Sequence, residues 1–573
     1  MTIRGAPRVR SRAAAVAIPV AVTLLVLGVA SASAVAMHAL TSKGCIADLG
    51  DTAGCGAATQ GLDSARGVAV SPDGKSVYAV ANGDRAIVRF DRTPDGALSN
   101  PSCIEDVGGT AGCGPGNTAE GLGGAFAVAV SPDGENVYVV SSSDDAIVTF
   151  DRGPDGALSN PSCIEDVGGS AGCGAGNTAQ GLDSARALTI SLDGTSVYAL
   201  GNFDDAIVRF DRGPNGVLSN PSCIADAPDL AGCGAMTDGL DAARGAVVSP
   251  GGSSMYVVSD VDDAIVTFDR APSGALSNPS CIGDVGGPAD CGPGNTADGL
   301  NGAKGMAISP DGANVYISAI SDNAIVTFDR APDGSLSNPS CIEDVGGTAG
   351  CGPGNTTQGL EDARAVAVSA DGSNVYSVAG DDKAIVTFDR APDGALSNPS
   401  CIEDVPEPPA VAACGSTAQG LDDVQDLAIS PDGGSVYTAS SFDDAIVSFT
   451  RELSPVPGAQ GPTAPQGVGV RQRRPGSDAT LTCRPKGKRV KCTVAFDVVA
   501  DVTKVRLSRH GVIYASGKPT GGPKGMLVLR FRRSKPLPRG RYVLEVIQGA
   551  GATRVVTRTR LHVGRGIHRR TLG

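Results

Sequence analysis

Short apolar runs alternate with turn words along most of this chain. The first complete set reads GVAV (67–70), SVYAVA (76–81), AIVRFD (86–91) and LSNPSCI (98–104), separated by SPDGK, NGDR and RTPDGA. Runs of this length, rich in Val, Ile, Tyr and Phe and bounded by Pro, Asp and Gly, predict β-strands joined by tight turns. The SPDG-like turn returns at Ser71, Ser131, Ser191, Ser249, Ser309, Ser369 and Ser430, with spacings of 60, 60, 58, 60, 60 and 61 residues. So regular a period with β patterning predicts propeller blades, four strands to each.

Aromatic residues keep step with the repeat. The second strand of each copy carries a tyrosine (Tyr78, Tyr138, Tyr198, Tyr256, Tyr316, Tyr376, Tyr437). The third carries a phenylalanine (Phe90, Phe150, Phe210, Phe268, Phe328, Phe388, Phe449). These fourteen make up most of the 21 Tyr and Phe in a chain without tryptophan, and locked to the repeat they predict a core packed blade on blade. The last copy stops after its third strand at AIVSFTREL, while the first begins with an orphan fourth strand, KGCIADLG (43–50). An N-terminal strand that completes the last blade would close the ring and leave no open edge. The expectation is an all-β chain: a seven-bladed β-propeller over residues 41–452, then a second domain.

Sixteen cysteines fall into local pairs: Cys45–Cys55, Cys103–Cys113, Cys163–Cys173, Cys223–Cys233, Cys281–Cys291, Cys341–Cys351, Cys401–Cys414 and, near the C-terminus, Cys483–Cys492. Zinc sites favour C-x2-C ligands with histidine, and the repeats hold no histidine. Disulfides need an oxidising compartment. The N-terminus, MTIRGAPRVRSR followed by AAAVAIPVAVTLLVLGVASASA, has the basic, apolar and Ala-x-Ala parts of a secretory signal peptide over residues 1–34, or of an uncleaved membrane anchor. The expectation is a secreted or cell-surface protein, each disulfide stapling the Gly-rich loop that crosses to the next blade.

Charge divides along the chain. Residues 41–451 carry 18 Lys and Arg against 56 Asp and Glu; residues 452–573 carry 25 against 5. The loops after strands two and four share one predicted face, which the DDAI-type turns and Asp48, Asp106, Asp166, Asp226, Asp284, Asp344 and Asp404 make acidic. These carboxylates read either as a solvated surface or turn chemistry copied with the repeat, or as a site for calcium or a basic partner. No cofactor is expected; calcium is the one ion such oxygens would suit, although no D-x-[DN]-x-[DN]-G loop is present.

The words VSPDGKSVYAVANGDRAIVRFDRTPDGALS resemble the lactonase-like, YVTN-type seven-bladed propeller family, and the resemblance spans residues 44–451. It implies the propeller. Enzymatic members, 6-phosphogluconolactonases and carboxymuconate-cyclising relatives, place histidine and arginine where the crossing loop enters the inner strand. Here those places read Arg66, Phe126, Arg186, Arg244, Lys304, Arg364 and Gln425, with histidine only at 38, 510, 562 and 568. The seven residues are the candidate ligand-binding set at the mouth of the central channel, with Asp63, Asp183, Asp241, Glu361 and Asp362 as candidate counterions and Phe126 and Gln425 breaking the symmetry. No catalytic residue is identified.

A Pro/Gly-rich linker (453–475) leads to six alternating segments in 476–565, read as a small basic, immunoglobulin-like β-sandwich in which Cys483–Cys492 staples a hairpin. Its charge points to an anionic cell-wall polymer or surface, or to docking on the acidic propeller; no nucleic-acid motif accompanies it. The expected function is a monomeric, non-catalytic binding scaffold, with lactone hydrolysis at the channel mouth as the alternative.

Overall fold

In a computed structural model, residues 40–50, 53–228, 231–405 and 413–452 are described in full, together with the backbone of seven strands between 481 and 563. The leader and the linker lie outside the described residues.

Seven sheets of one pattern make up the propeller. Blade one runs outward from its inner strand Ala65–Val70 through Ser76–Ala81 and Ala86–Arg92 to Leu98–Asp106. Its small inner residues let neighbouring strands approach: a Cβ on Gly67 would meet the Phe126 carbonyl of blade two at 2.8 Å. The inner strands neighbour one another in a closed cycle, blade seven against blade one. Closure is as expected. The N-terminal strand Leu40–Asp48 pairs antiparallel with Ala445–Arg451, Cys45 opposite Val447, and completes blade seven.

Four strands per blade was one too few. After strand four the crossing loop turns back and lays a short parallel strand on its outer edge, Thr118 and Ala119 beside Glu105 and Asp106 in blade one. Two or three residues without apolar alternation carry no period that a sequence can display. The seven propeller disulfides are present with Cα–Cα separations of 5.0–5.3 Å, each tying strand four to this loop. They are not its only fastening. In blade one the buried Glu105 carboxylate accepts from the Gly112 and Cys113 amides, and Asn117 Nδ2 donates to the Cys113 carbonyl at 2.8 Å.

The repeat-locked aromatics are buried as expected. Each tyrosine also carries a polar tip, and the next blade supplies its partner. Tyr138 Oη donates to the Gly216 carbonyl at 2.7 Å and accepts from Arg212 Nε at 2.7 Å. The rest of that guanidinium reaches Gly194, Asp133 and Asn136. The same latch closes the ring, from Tyr437 to Gly96 and Arg92. It fails only from blade six to blade seven. There the chain leaves blade seven without the third-to-fourth hairpin turn that would supply a glycine carbonyl, and Tyr376 Oη has no hydrogen-bond partner among the described residues.

The second unit, residues 460–573, is separate. Its seven strands form one antiparallel order in which Leu481–Lys486 and Arg489–Val494 make a hairpin, Cys483 directly opposite Cys492. That register suits the expected staple, whose side chains lie outside the described residues. The strand missed in sequence is Val512–Gly517.

Two stability predictions follow from these fastenings. Tyr138→Phe strands Arg212 Nε and a carbonyl in the interior and should lower unfolding free energy by about 1–3 kcal/mol in urea titration. Tyr376→Phe removes an unpartnered hydroxyl and should cost clearly less. The double variant Cys163→Ala/Cys173→Ala should lose roughly 2–3 kcal/mol and gain a protease-sensitive site within 164–172; an unchanged cleavage pattern would show that the hydrogen bonds alone hold the loop.

Candidate functional site

Loops after strands two and four do share a face: the Asp106 amide donates to the Arg85 carbonyl, and Asp166 to Asp145 in the next blade. The carboxylates of this face are engaged rather than free. The strand-four aspartate accepts from a leucine amide of the crossing loop, as Asp106 does from Leu122 at 3.1 Å. The first aspartate of the DDAI turn accepts from the same loop within its own blade, as Asp144 does from Gly123 at 2.7 Å. The second, held at positive φ, reaches the next blade: Asp145 to Ser184, Asp205 to Ala242, Asp263 to Gly302 and Asp444 to Ser64. Turn chemistry copied with the repeat accounts for these contacts. Among the described residues no group of three or more His, Cys, Asp or Glu is arranged to hold a metal ion.

Crowding has an electrostatic cost. Burial, then neighbouring carboxylates, push Asp145, Asp205, Asp226 and Asp322 up to about 6.

The crossing loop leads into the inner strand, and in every blade one of the seven candidates is the second residue of that strand. The structure divides them. Phe126 lies between two guanidiniums, Arg66 at 5.8 Å and Arg186 at 5.6 Å from its ring centroid, and Arg186 also stacks at 5.5 Å on Phe203. Such contacts favour a cation over an aromatic face. Neither arginine has an ion pair among the described residues, and Arg66 Nε is buried without a hydrogen-bond partner. Arg186 Nε donates to Ser184. Burial lowers both guanidiniums' affinity for their protons; the Asp423 charge opposes this at Arg66 while Arg364 and Arg244 add to it, and at Arg186 the Arg244 charge adds to it while Asp260 opposes.

Across the mouth the cations are neutralised. Arg244 pairs with Asp260 at 2.6 Å, and Arg364 joins Asp362 to Asp423, the latter at 2.5 Å. Gln425 is buried and donates to Asp423 at 2.8 Å and to Ser441, so it positions a counterion and offers no free group to a ligand. Lys304 has no ion pair among the described residues.

Of the five counterions expected from sequence, only Asp362 serves. Asp63, Asp183, Asp241 and Glu361 instead receive or make the loop contacts of the acidic face, where their amides are capped by Asp84, Asp204, Asp262 and Asp382. Asp260 and Asp423 take their place, with Asp426 a third carboxylate missed in sequence. The signal for Asp426 was available. Six blades carry Gly67, Ala127, Ala187, Gly245, Gly305 or Ala365 just after the ring residue; the seventh carries Asp426. It caps the Val68 amide of blade one at 3.0 Å, and burial pushes its carboxyl up to about 6.

No protein-family profile matches the chain, and no curated protein does. Solved structures similar to it include a putative 6-phosphogluconolactonase from Bacteroides fragilis, 19% identical over 58% of this chain and 82% of that one, TM-score 0.41. The periplasmic gluconolactonase of Pseudomonas aeruginosa is 17% identical over 58% and 84%, TM-score 0.43. Hydrazine synthase of Kuenenia stuttgartiensis is 13% identical over 69% and 97%, TM-score 0.44.

The raised aspartates set a pH dependence. Their folded values near 6 exceed the ordinary 3.8, so the folded state binds more protons between these limits. Their contribution is therefore fully present below about 4 and is lost as pH rises through about 6. Asp193, held down to about 2 by Ser191, Thr195 and Arg270 against the opposing effect of burial, acts oppositely and loses its contribution as pH falls below about 4. Melting temperature should thus be higher at pH 5 than at pH 8. Asp145→Asn/Asp205→Asn should narrow that gap by raising the pH 8 value, since Asn323 already caps the Asp362 amide at the equivalent place. A flat profile between pH 5 and 8 would contradict this.

Proposed function

We propose that the protein is an extracytoplasmic binding scaffold that holds an anionic ligand at the mouth of its channel. Arg66 and Arg186, half-buried beside Phe126 and without an ion pair among the described residues, carry this reading. A guanidinium withdrawn from water and left unpaired favours a carboxylate or phosphate, which it binds through two parallel N–H donors. Only one blade of seven has phenylalanine in the ring, so the stack gives a near-symmetrical channel a single distinguishable side. Seven disulfides support an oxidising compartment, and with the sequence leader a secreted or surface-held location. The C-terminal unit, read as an immunoglobulin-like sandwich, would hold the protein to anionic envelope polymer through its excess of Lys and Arg.

A hydrolytic reading has one observation in its favour. Asp426, with a carboxyl near 6 in the channel, lies in the range where a general base works at neutral pH. It would serve ring opening of a lactone.

Calorimetric titration with sugar phosphates and small polycarboxylates tests both. Binding should weaken about tenfold or more on Arg66→Ala or Arg186→Ala, the loss of a charge-assisted contact, and stay unchanged on Lys383→Ala, whose cation already pairs with Asp422 among the loops of the acidic face. Equal losses in all three would mean a diffuse charge effect and no site. Lactone turnover abolished by Asp426→Asn would replace the scaffold reading with the hydrolytic one. Removing residues 453–573 should end co-sedimentation with envelope polymer and leave small-anion binding intact.

A further inference from the structure

Blade five places a lysine where four other blades place arginine, and two neighbouring positions differ with it. On blade six Arg364 lies over Gly380, where a Cβ would collide with the guanidinium, and meets Asp362 from the loop before its own strand. On blade four Arg244 meets Asp260, the counterpart of Gly380. On blade five the counterparts of Gly380 and Asp362 are Ile320 and Gly302. Both carboxylate-bearing places are therefore apolar beside Lys304, and a Cβ on Gly302 would press against the Ile320 side chain. The ammonium has no ion pair or hydrogen bond of its own among the described residues. The charged groups that act on it are Arg364, Asp362, Arg244 and Arg66, and it acts in turn on Asp426.

The two conditions that turn a lysine into a nucleophile are present together: partial withdrawal from water beside an apolar side chain, and cationic neighbours that disfavour a further positive charge. Burial and, next, the Arg364 charge pull the amine down to about 7. It stands half-buried on the channel wall rather than sealed in the core.

We propose that Lys304 is a reactive amine that captures small anionic carbonyl compounds, 2-oxo acids and carboxylate-bearing aldehydes, as a reversible imine. The lone pair on Nζ adds to the carbonyl carbon and a proton passes from nitrogen to the former carbonyl oxygen. The remaining N–H proton then passes through solvent to that hydroxyl, which leaves as water while the nitrogen lone pair forms the C=N bond; no oxidant or reductant takes part. The ligand's carboxylate rests on the cationic mouth, so the choice of an anionic carbonyl depends on the reading of the mouth as an anion site. The reactivity of the amine does not.

Reductive trapping on the full-length, oxidised protein tests this. Glyoxylate and cyanoborohydride are added over a range of pH, and modification of each lysine is followed by peptide mass mapping. Lys304 should be modified about tenfold or more faster at pH 7 than the exposed Lys43, Lys75 and Lys383, as a neutral fraction raised by several pKa units requires, with its own rate levelling near pH 7–8. Lys304→Met should lose the adduct, though the comparison among lysines of the unaltered protein stands without it. Modification of Lys304 no faster than of Lys75 overturns the proposal. If that occurs while Arg66 and Arg186 still govern anion binding, the amine fails and the binding site stands. Equal rates with glyoxylate and neutral acetaldehyde would overturn the anionic class and count against the anion site, leaving only a reactive amine.

Discussion

The ring depends on what happens where one blade meets the next. Each interface buries a tyrosine whole, and a buried phenol must find a partner for its hydroxyl or cost about as much as a lost hydrogen bond. The following blade meets that need twice, with a glycine carbonyl and an arginine Nε, and the same arginine reaches back to the SPDG turn of the blade it left. Because Tyr, Arg and Gly come from two blades, no blade satisfies its own interior. That shared dependence turns seven similar sheets into a closed object. Tyr376 marks where it weakens, at the blade whose fourth strand comes from the other end of the chain.

Opposite this latch the molecule does something different with charge. The aspartates of the loop face are spent on backbone amides, several across blade boundaries, and they stand close enough to raise one another's proton affinity. The cations gather at the centre of the same face. On the proposed reading, an acidic annulus around these cations would steer an anion to one place and away from the rest of the surface. Within the mouth, Asp260, Asp362 and Asp423 cancel Arg244 and Arg364 on one side, while Arg66 and Arg186 are left to the faces of Phe126 and Phe203 on the other. Lys304 stands between two neutralised arginines with neither kind of partner. Duplication supplies the frame, and the few departures from it supply whatever chemistry the channel has.

The sequence by itself determined the blade count, the ring closure, the aromatic core and the seven propeller cysteine pairs. Each is written as periodicity, and a residue repeated about every sixty positions must do the same work in every blade. Phe126 and the cations of the mouth were legible for the same reason, as breaks or constants in an aligned column. What only the tertiary structure decided is who neutralises whom. Asp63 and Asp241 stand closer in sequence to the ring cations than Asp260 does, yet their backbone amides are held in the loop caps, while Asp260 comes from the end of the second strand onto Arg244. Asp423 reaches Arg364 from the following blade. An ion pair is fixed by distance and burial in three dimensions, and neither can be read from separation along the chain.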